Sequence, residues 1–196
     1  MRVIRARQAC RQLSIMGVDP SLTSTGWACA GEVGRLRSKF KGGQRFEHLR
    51  NQFAGLLDYY KPDVIFYEGY AFGVKPQQGT MDRAELAGLF KMETYLRGIA
   101  IVLVPPKTLK KVATNNGNAG KPAMKDSIVS LFDVDSACNH DEIDAYALCA
   151  LGDALLLGRG PAGFVNRAKA ATEKIEIVPG KGQSEVQTIA HLASVG

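Results

Sequence analysis

The sequence has few of the features that mark a membrane or secreted protein. None of its apolar runs approaches the roughly 20 residues of a membrane-spanning helix. Its basic start, residues 1–7, is not followed by an apolar segment, which predicts that no signal peptide is present. Only four of its 196 residues are cysteines, and no two of them form a Cys-x-x-Cys pair. We therefore expect reduced thiols, no zinc site and no membrane partner.

Two adjacent segments carry charges of opposite sign, and each contains charge of one sign only. Residues 107–125 contain five lysines and no acid, whereas residues 126–153 contain seven acids and no lysine or arginine. The whole chain carries a net charge of +6. A basic surface beside an acidic pocket suits a polyanion that is held near a metal site. Ordinary solvated faces are the simpler explanation of the same segments.

Hydrophobic periodicity predicts an α/β domain. Strands are predicted over residues 14–19, 26–33, 35–41, 63–68 and 100–104, with a turn at Gly34 between the second and the third. Helices are predicted over residues 46–60, 80–96, 106–114, 121–132 and 140–157. This order is typical of a mixed five-stranded sheet that is flanked by helices.

The composition divides the chain into three segments. Residues 1–13 are basic and weakly patterned, which predicts an N-terminal arm that contacts phosphates or stays without structure. Residues 14–158 carry the periodic pattern and form the predicted main domain. Residues 159–196 are interrupted by Gly-Pro and Pro-Gly-Lys-Gly, so we interpret them as a C-terminal extension in which residues 175–178 are a candidate strand.

Four carboxylates have a suggestive placement. Asp19 and Glu68 each end a predicted strand, where a carboxylate loses hydration unless something compensates its charge. Asp141 and Asp144 are three residues apart on the last predicted helix, so they share one face. Four acids from three elements would repel one another without a cation. Because all the ligands would be oxygens, Mg²⁺ or Mn²⁺ fits this set and Zn²⁺ does not.

Each of these acids alone also has an ordinary structural explanation. Most helical acids lie on the surface, and an aspartate at a strand end often only caps a turn. That explanation weakens for the set, because a strand-end Asp, a strand-end Glu and a D-x-x-D helix follow one another in the chain. Two divalent ions about 3.5–4 Å apart would catalyse in-line phosphoryl displacement, one activating a water and the other stabilising the leaving oxygen.

Several short motifs occur in a fixed order. They are Gly17-Val-Asp-Pro-Ser21 with Thr25-Gly26, Tyr67-Glu68, Val104-Pro-Pro through Lys110, Gly117-Asn-Ala-Gly-Lys121 and Asp141-Glu-Ile-Asp144-Ala-Tyr-Ala. This ordered set, within residues 14–157, resembles the RuvC family of Holliday junction resolvases. The resemblance implies an RNase H-like nuclease domain at residues 14–158 and two Mg²⁺ or Mn²⁺ ions per active site. It implies these metal-binding catalytic residues: Asp19, Glu68, Asp141 and Asp144.

The same resemblance implies a DNA substrate and a partner subunit. A homodimer would nick a four-way junction, or other branched DNA, symmetrically on opposing strands. Lys110 and Lys121 fall where the family carries basic residues near the scissile phosphate. Tyr70 and Phe72 are candidates for the aromatic side chain that the family inserts into the junction. The predicted DNA-binding residues are Lys107, Lys110, Lys111, Lys121, Tyr70 and Phe72. The expected location is the cytoplasm of a bacterial or phage-infected cell.

Three other functions compete with this one. The acids suit an RNA-processing or RNase H-type nuclease of the same fold equally well. The turn after Asp19 also resembles the first phosphate loop of actin-like ATPases, but the chain is too short for their two lobes. The third alternative is a non-catalytic DNA-binding module in which the acids are incidental. The lysine-rich segment and the Asp141/Asp144 pair favour the resolvase.

Overall fold

The computed structural model describes residues 13–69, 78–185 and 187–188. Within these ranges one mixed sheet has the strand order β3-β2-β1-β4-β5-β6. β1, β4 and β5 are parallel to one another, whereas β2, β3 and β6 run antiparallel to their neighbours. The strands are β1 (Ile15–Asp19), β2 (Thr25–Cys29), β3 (Glu32–Leu36), β4 (Val64–Glu68), β5 (Ala100–Val104) and β6 (Glu176–Val178).

Helices cover both faces of the sheet, because its central strands are apolar on both sides. On β1, Ile15 packs with the cluster of α3, α4, α5 and α6, and Met16 packs with that of α1 and α2. None of the described helices is both long and apolar enough to cross a membrane. The helices are α1 (Gly42–Tyr60), α2 (Gln78–Leu96), α3 (Pro106–Thr114), α4 (Lys121–Phe132), α5 (His140–Leu156) and α6 (Ala162–Ala170).

The predicted α/β sheet with flanking helices is confirmed, but the count of five strands was wrong. The sixth strand, β6, pairs with the outer edge of β5. β6 lies in the C-terminal extension. Residues 175–178 were a candidate strand in the sequence, but they were not counted in the predicted sheet. α6 was not predicted either, because only Phe164, Val165 and Ala168 of its residues are buried. The division of the chain at residue 158 stays a prediction, and the predicted arm lies outside the described residues except for Leu13.

The turn between β2 and β3 was placed wrongly at Gly34. The chain reverses at Ala30 and Gly31, whose φ angles of 52° and 82° are the positive values that a two-residue hairpin needs. Gly34 lies inside β3, opposite Trp27. Gly34 is required for a different reason, because the indole ring of Trp27 leaves no room for a side chain at this position of β3. It does not form the turn.

An ion-pair network holds α2 against α1. Glu93 of α2 is buried and accepts hydrogen bonds from Arg50 of α1 and from Arg97. Burial opposes ionisation of Glu93, but the hydrogen bonds from the two arginines outweigh it and hold the pKa below its usual range. These contacts bury one face of α2, whereas Met81, Met92, Tyr95 and Leu96 of the same helix remain exposed to solvent.

Candidate active site

The ends of β1 and β4 bring two acids together at one edge of the sheet. These strands pair in parallel with Val18 opposite Tyr67, so the residues that follow, Asp19 and Glu68, are neighbours. Asp19 is only 5% exposed. The two carboxyl groups lie close enough to affect each other's ionisation.

Helix α5 approaches this edge closely because two glycines leave room for its backbone. A Cβ atom at Gly17 of β1 would lie 2.0 Å from the carbonyl oxygen of Ala145. A Cβ atom at Gly26 of β2 would lie 1.9 Å from the carbonyl oxygen of Asp141. Any side chain at either position would therefore push α5 away from the sheet. The glycines thus bring the first two turns of α5 to the end of β1.

The start of α5 is held by a capping box. The Asn139 side chain accepts a hydrogen bond from the backbone N–H of Glu142, and the Glu142 carboxylate accepts one from the backbone N–H of Asn139. Glu142 also pairs with Arg35 of β3 at 3.1 Å. Glu142 is therefore occupied by structural contacts, which separates it from Asp141 and Asp144 on the same turn of helix.

Burial and mutual repulsion disfavour the ionised form of three acids. Burial raises the pKa of Asp19 well above its ordinary value, and the charges of Glu68 and Asp144 raise it further. Burial also raises the pKa of Glu68. Burial and the charge of Glu68 raise the pKa of Asp144 to about 7. Asp141 adds to the repulsion on Asp19 and Asp144, so the four predicted acids belong to one electrostatic cluster.

Three cations oppose this repulsion. Arg83 of α2 places Nη1 at 3.9 Å from Glu68 Oε2. Lys110 of α3 and Lys121 of α4 also lie close enough to favour the charged forms of Glu68 and Asp144. Both lysines were singled out in the sequence. Arg83 was missed, because nothing in the helical pattern around it indicates that it points toward an acid.

The remaining predicted DNA-binding residues fall into two groups. Lys107 and Lys111 line a cavity whose described lining residues include none of the four acids, and Lys111 Nζ donates a hydrogen bond to the carbonyl of Asn115 at 2.8 Å. Tyr70 and Phe72 lie outside the described residues. The assignment of catalytic and DNA-binding roles to all these side chains stays a prediction.

The acids fit a divalent cation by their chemistry, although they are not arranged as a formed metal site. Asp19 Oδ1 is buried and has no hydrogen-bond partner among the described residues, which costs free energy unless another group satisfies it. Within those ranges, no three Asp, Glu, His or Cys side chains stand close enough to hold a metal ion. The carboxylates would have to rotate toward a shared ion. Their all-oxygen donor set suits Mg²⁺ or Mn²⁺.

Comparison with known proteins identifies the family. The family model described as crossover junction endodeoxyribonuclease RuvC matches residues 15–151. The chain belongs to the RuvC family. The matched residues include all four acids, so the resemblance drawn from the motifs is confirmed.

Two RuvC proteins illustrate the degree of similarity. The RuvC of Chlamydia caviae is 30% identical over 149 residues, which cover 68% of this chain and 88% of the relative. The RuvC of Beijerinckia indica is 27% identical over 168 residues, which cover 80% and 94%. The similarity therefore spans most of each relative's length, and this RuvC-family chain is a crossover junction endodeoxyribonuclease.

Solved structures of RuvC share the fold at low sequence identity. Thermus thermophilus RuvC in complex with a Holliday junction substrate superposes with a TM-score of 0.64 at 13% identity, covering 85% of this chain and all of that one. A second structure of the T. thermophilus protein gives a TM-score of 0.60 at 14% identity. These matches confirm the predicted RNase H-like fold.

Proposed function

We propose that the protein is a metal-dependent, structure-selective endonuclease that resolves four-way DNA junctions by paired nicks. The observation that carries the proposal is the cluster of desolvated, mutually repelling acids at the ends of β1 and β4, in which Asp19 Oδ1 has no partner among the described residues. Such a cluster stabilises no fold by itself. It is suited to binding divalent cations, and membership of the RuvC family gives the substrate class.

The acids would hold two Mg²⁺ or Mn²⁺ ions, and the four proposed ligands are Asp19, Glu68, Asp141 and Asp144. When bound, such ions lower the pKa of a water and neutralise charge on the leaving oxygen. The β1 and β4 ends fix Asp19 and Glu68 in the sheet, whereas α5 supplies the other two acids from a capped helix start. Lys110 and Lys121 would position the scissile phosphate by their positive charge.

Paired nicking requires two active sites, and α2 provides a suitable surface for a two-fold homodimer. Met81, Met92 and Tyr95 are 54%, 49% and 43% exposed, and Leu96 is 51% exposed. Their spacing of 11, 14 and 15 residues from Met81 places them on one helical stripe. Gly88 lies between them with open space at its Cβ position. We propose that α2 packs against the α2 helix of a second copy, since exposed apolar stripes of this kind mark interfaces.

Cleavage of a panel of labelled DNA substrates tests the reaction. The panel contains a four-way junction, a fork, a flap, a linear duplex and an RNA–DNA hybrid, each incubated with Mg²⁺. We expect the junction to be cut fastest and the Asp144→Asn variant to bind it without cutting. Equal cleavage of linear duplex or hybrid would refute junction selectivity. Normal cleavage by Asp144→Asn would refute the assigned site.

Mass measurement in solution tests the homodimer. We expect the wild type to be a dimer and Met92→Glu to be a monomer that no longer makes paired nicks in one junction. Tyr59→Glu is the matched control, because Tyr59 is 76% exposed on α1 and lies outside the α2 stripe. A monomeric wild type, or a dimeric Met92→Glu, would contradict this interface.

A further inference from the structure

A basic groove lies beside the acid cluster, between α3 and the C-terminal extension. Its volume is about 660 Å³, which lies within the range of ordinary ligand-binding clefts. Its cationic lining residues come from two parts of the chain, Lys107 and Lys111 from α3 and Arg167 and Lys174 from α6 and the short segment that follows it. None of the described residues that line it is acidic.

The two sides of the groove are held together by direct contacts. Arg167 Nε donates a hydrogen bond of 2.6 Å to the carbonyl of Val112 at the end of α3. Phe164 of the same helix is fully buried, and its ring packs edge-on against Phe132 of α4 with the ring centroids 5.0 Å apart. The groove therefore lies between two helices that are held against each other.

The extension side of the groove lies beyond the residues that the family model matches. The family model matches residues 15–151, and Arg167 and Lys174 come after that range. The lysines on the other side belong to the same helix as Lys110, which acts on Glu68 and Asp144. α3 thus presents Lys110 toward the acids and Lys107 and Lys111 toward the groove, so that one basic surface continues from the acid cluster onto the extension.

We propose that this groove binds the sugar–phosphate backbone of one duplex arm of the branched DNA substrate. Cations on both walls match the repeated negative charges of a DNA backbone. Apolar lining atoms of Pro105, Ala170 and Ala171 suit the deoxyribose between the phosphates. The role of the extension is then to hold an arm that leaves the active site, which adds affinity without reading sequence. The proposal rests on the proposed junction-cutting function for its substrate.

Charge reversal at Lys174 tests the groove. Lys174 is exposed and is not among the residues predicted from the sequence to bind DNA. In EDTA, we expect Lys174→Glu to bind a long-armed four-way junction roughly 5-fold more weakly, with the slope of log K against log salt reduced by about 0.9 for each lost phosphate contact. A junction whose arms are trimmed to a few base pairs should bind equally well to wild type and variant. Hydroxyl-radical footprinting should show protection along one arm that the variant loses.

Lys169→Glu is the matched control, because Lys169 is exposed on α6 and does not line the groove. It changes the net charge equally and should leave both affinities within the wild-type range. The proposal that the groove binds DNA would be refuted if the two variants weakened binding of the long-armed junction equally. It would also be refuted if Lys174→Glu did not weaken this binding. If no junction is cut by the wild type but Lys174→Glu alone loses long-arm affinity, the groove stands and the nuclease proposal falls.

Discussion

Removing one charge from the acid cluster should make the metal-free protein more stable. Burial and the charge of Glu68 raise the pKa of Asp144 from 3.8 to about 7, so ionisation opposes folding by about 4 kcal/mol above that pH. Asp144→Asn keeps the shape and removes the charge, but its amide group still loses hydration in the same buried position. We therefore expect a net gain of about half this figure, about 2 kcal/mol at pH 8, or about 4–8 °C in Tm.

The pH dependence of this gain follows from the raised pKa. Between pH 3.8 and about 7, the folded protein keeps the Asp144 proton whereas the unfolded chain has lost it, so wild-type stability falls as pH rises. The advantage of Asp144→Asn should therefore be small near pH 4, grow through this range and stay constant above it. Urea unfolding in EDTA at pH 4, 6 and 8 measures the difference directly.

A matched variant and added metal complete this test. Asp126→Asn removes the same charge from an exposed position on α4 and should leave the free energy of unfolding within about 0.5 kcal/mol of wild type. Adding Mg²⁺ should stabilise wild type more than Asp144→Asn, because binding to the folded state adds to its stability. A variant that gains nothing at pH 8, or gains equally at pH 4, would refute the account of a strained acid cluster.

Two other substitutions test how α5 is positioned. Gly17→Ala should lower the free energy of unfolding by about 3 kcal/mol or more, measured by urea unfolding, because its methyl group would overlap the α5 backbone. Gly43→Ala, where a Cβ meets nothing within 4 Å, is the control and should not destabilise; equal effects would contradict the close approach. Asn139→Ala should cost about 1 kcal/mol and reduce junction cleavage more than junction binding, because Asp141 lies in the turn that the cap holds. Unchanged unfolding and cleavage would show that the capping box has no positioning role.

Much of the fold was predictable because its signals are local. The runs that form β1, β4 and β5 are apolar on both faces, and helix lengths followed from the 3.6-residue spacing and from proline and glycine stops. Less local signals failed. The reversal at Ala30-Gly31 carries one glycine, and the sequence offers a second at Gly34 that serves a packing contact instead. α6 and β6 are short elements that are stabilised by tertiary contacts, α6 by packing against α4 and β6 by pairing with β5.

The four acids were recognisable from the sequence itself. Asp19 and Glu68 end strands, and the spacing of Asp141 and Asp144 places them on one helical face, so their types and order were sufficient to indicate one site. Their shared location follows from a general rule, since neighbouring parallel strands end at the same edge.

Only the tertiary structure decided how these acids interact. The distance between α5 and the sheet depends on Gly17 and Gly26 meeting carbonyls more than 100 residues later. The structural role of Glu142 depends on its ion pair with Arg35, which is 107 residues away in the sequence. Arg83 reaches Glu68 from α2, and the sequence pattern of that helix does not indicate this contact. Burial and mutual distance set the ionisation of Asp19, and both arise only when β1, β4 and α5 pack together. The sequence determined the types and the order of the four acids, and packing determined how they affect one another's charge.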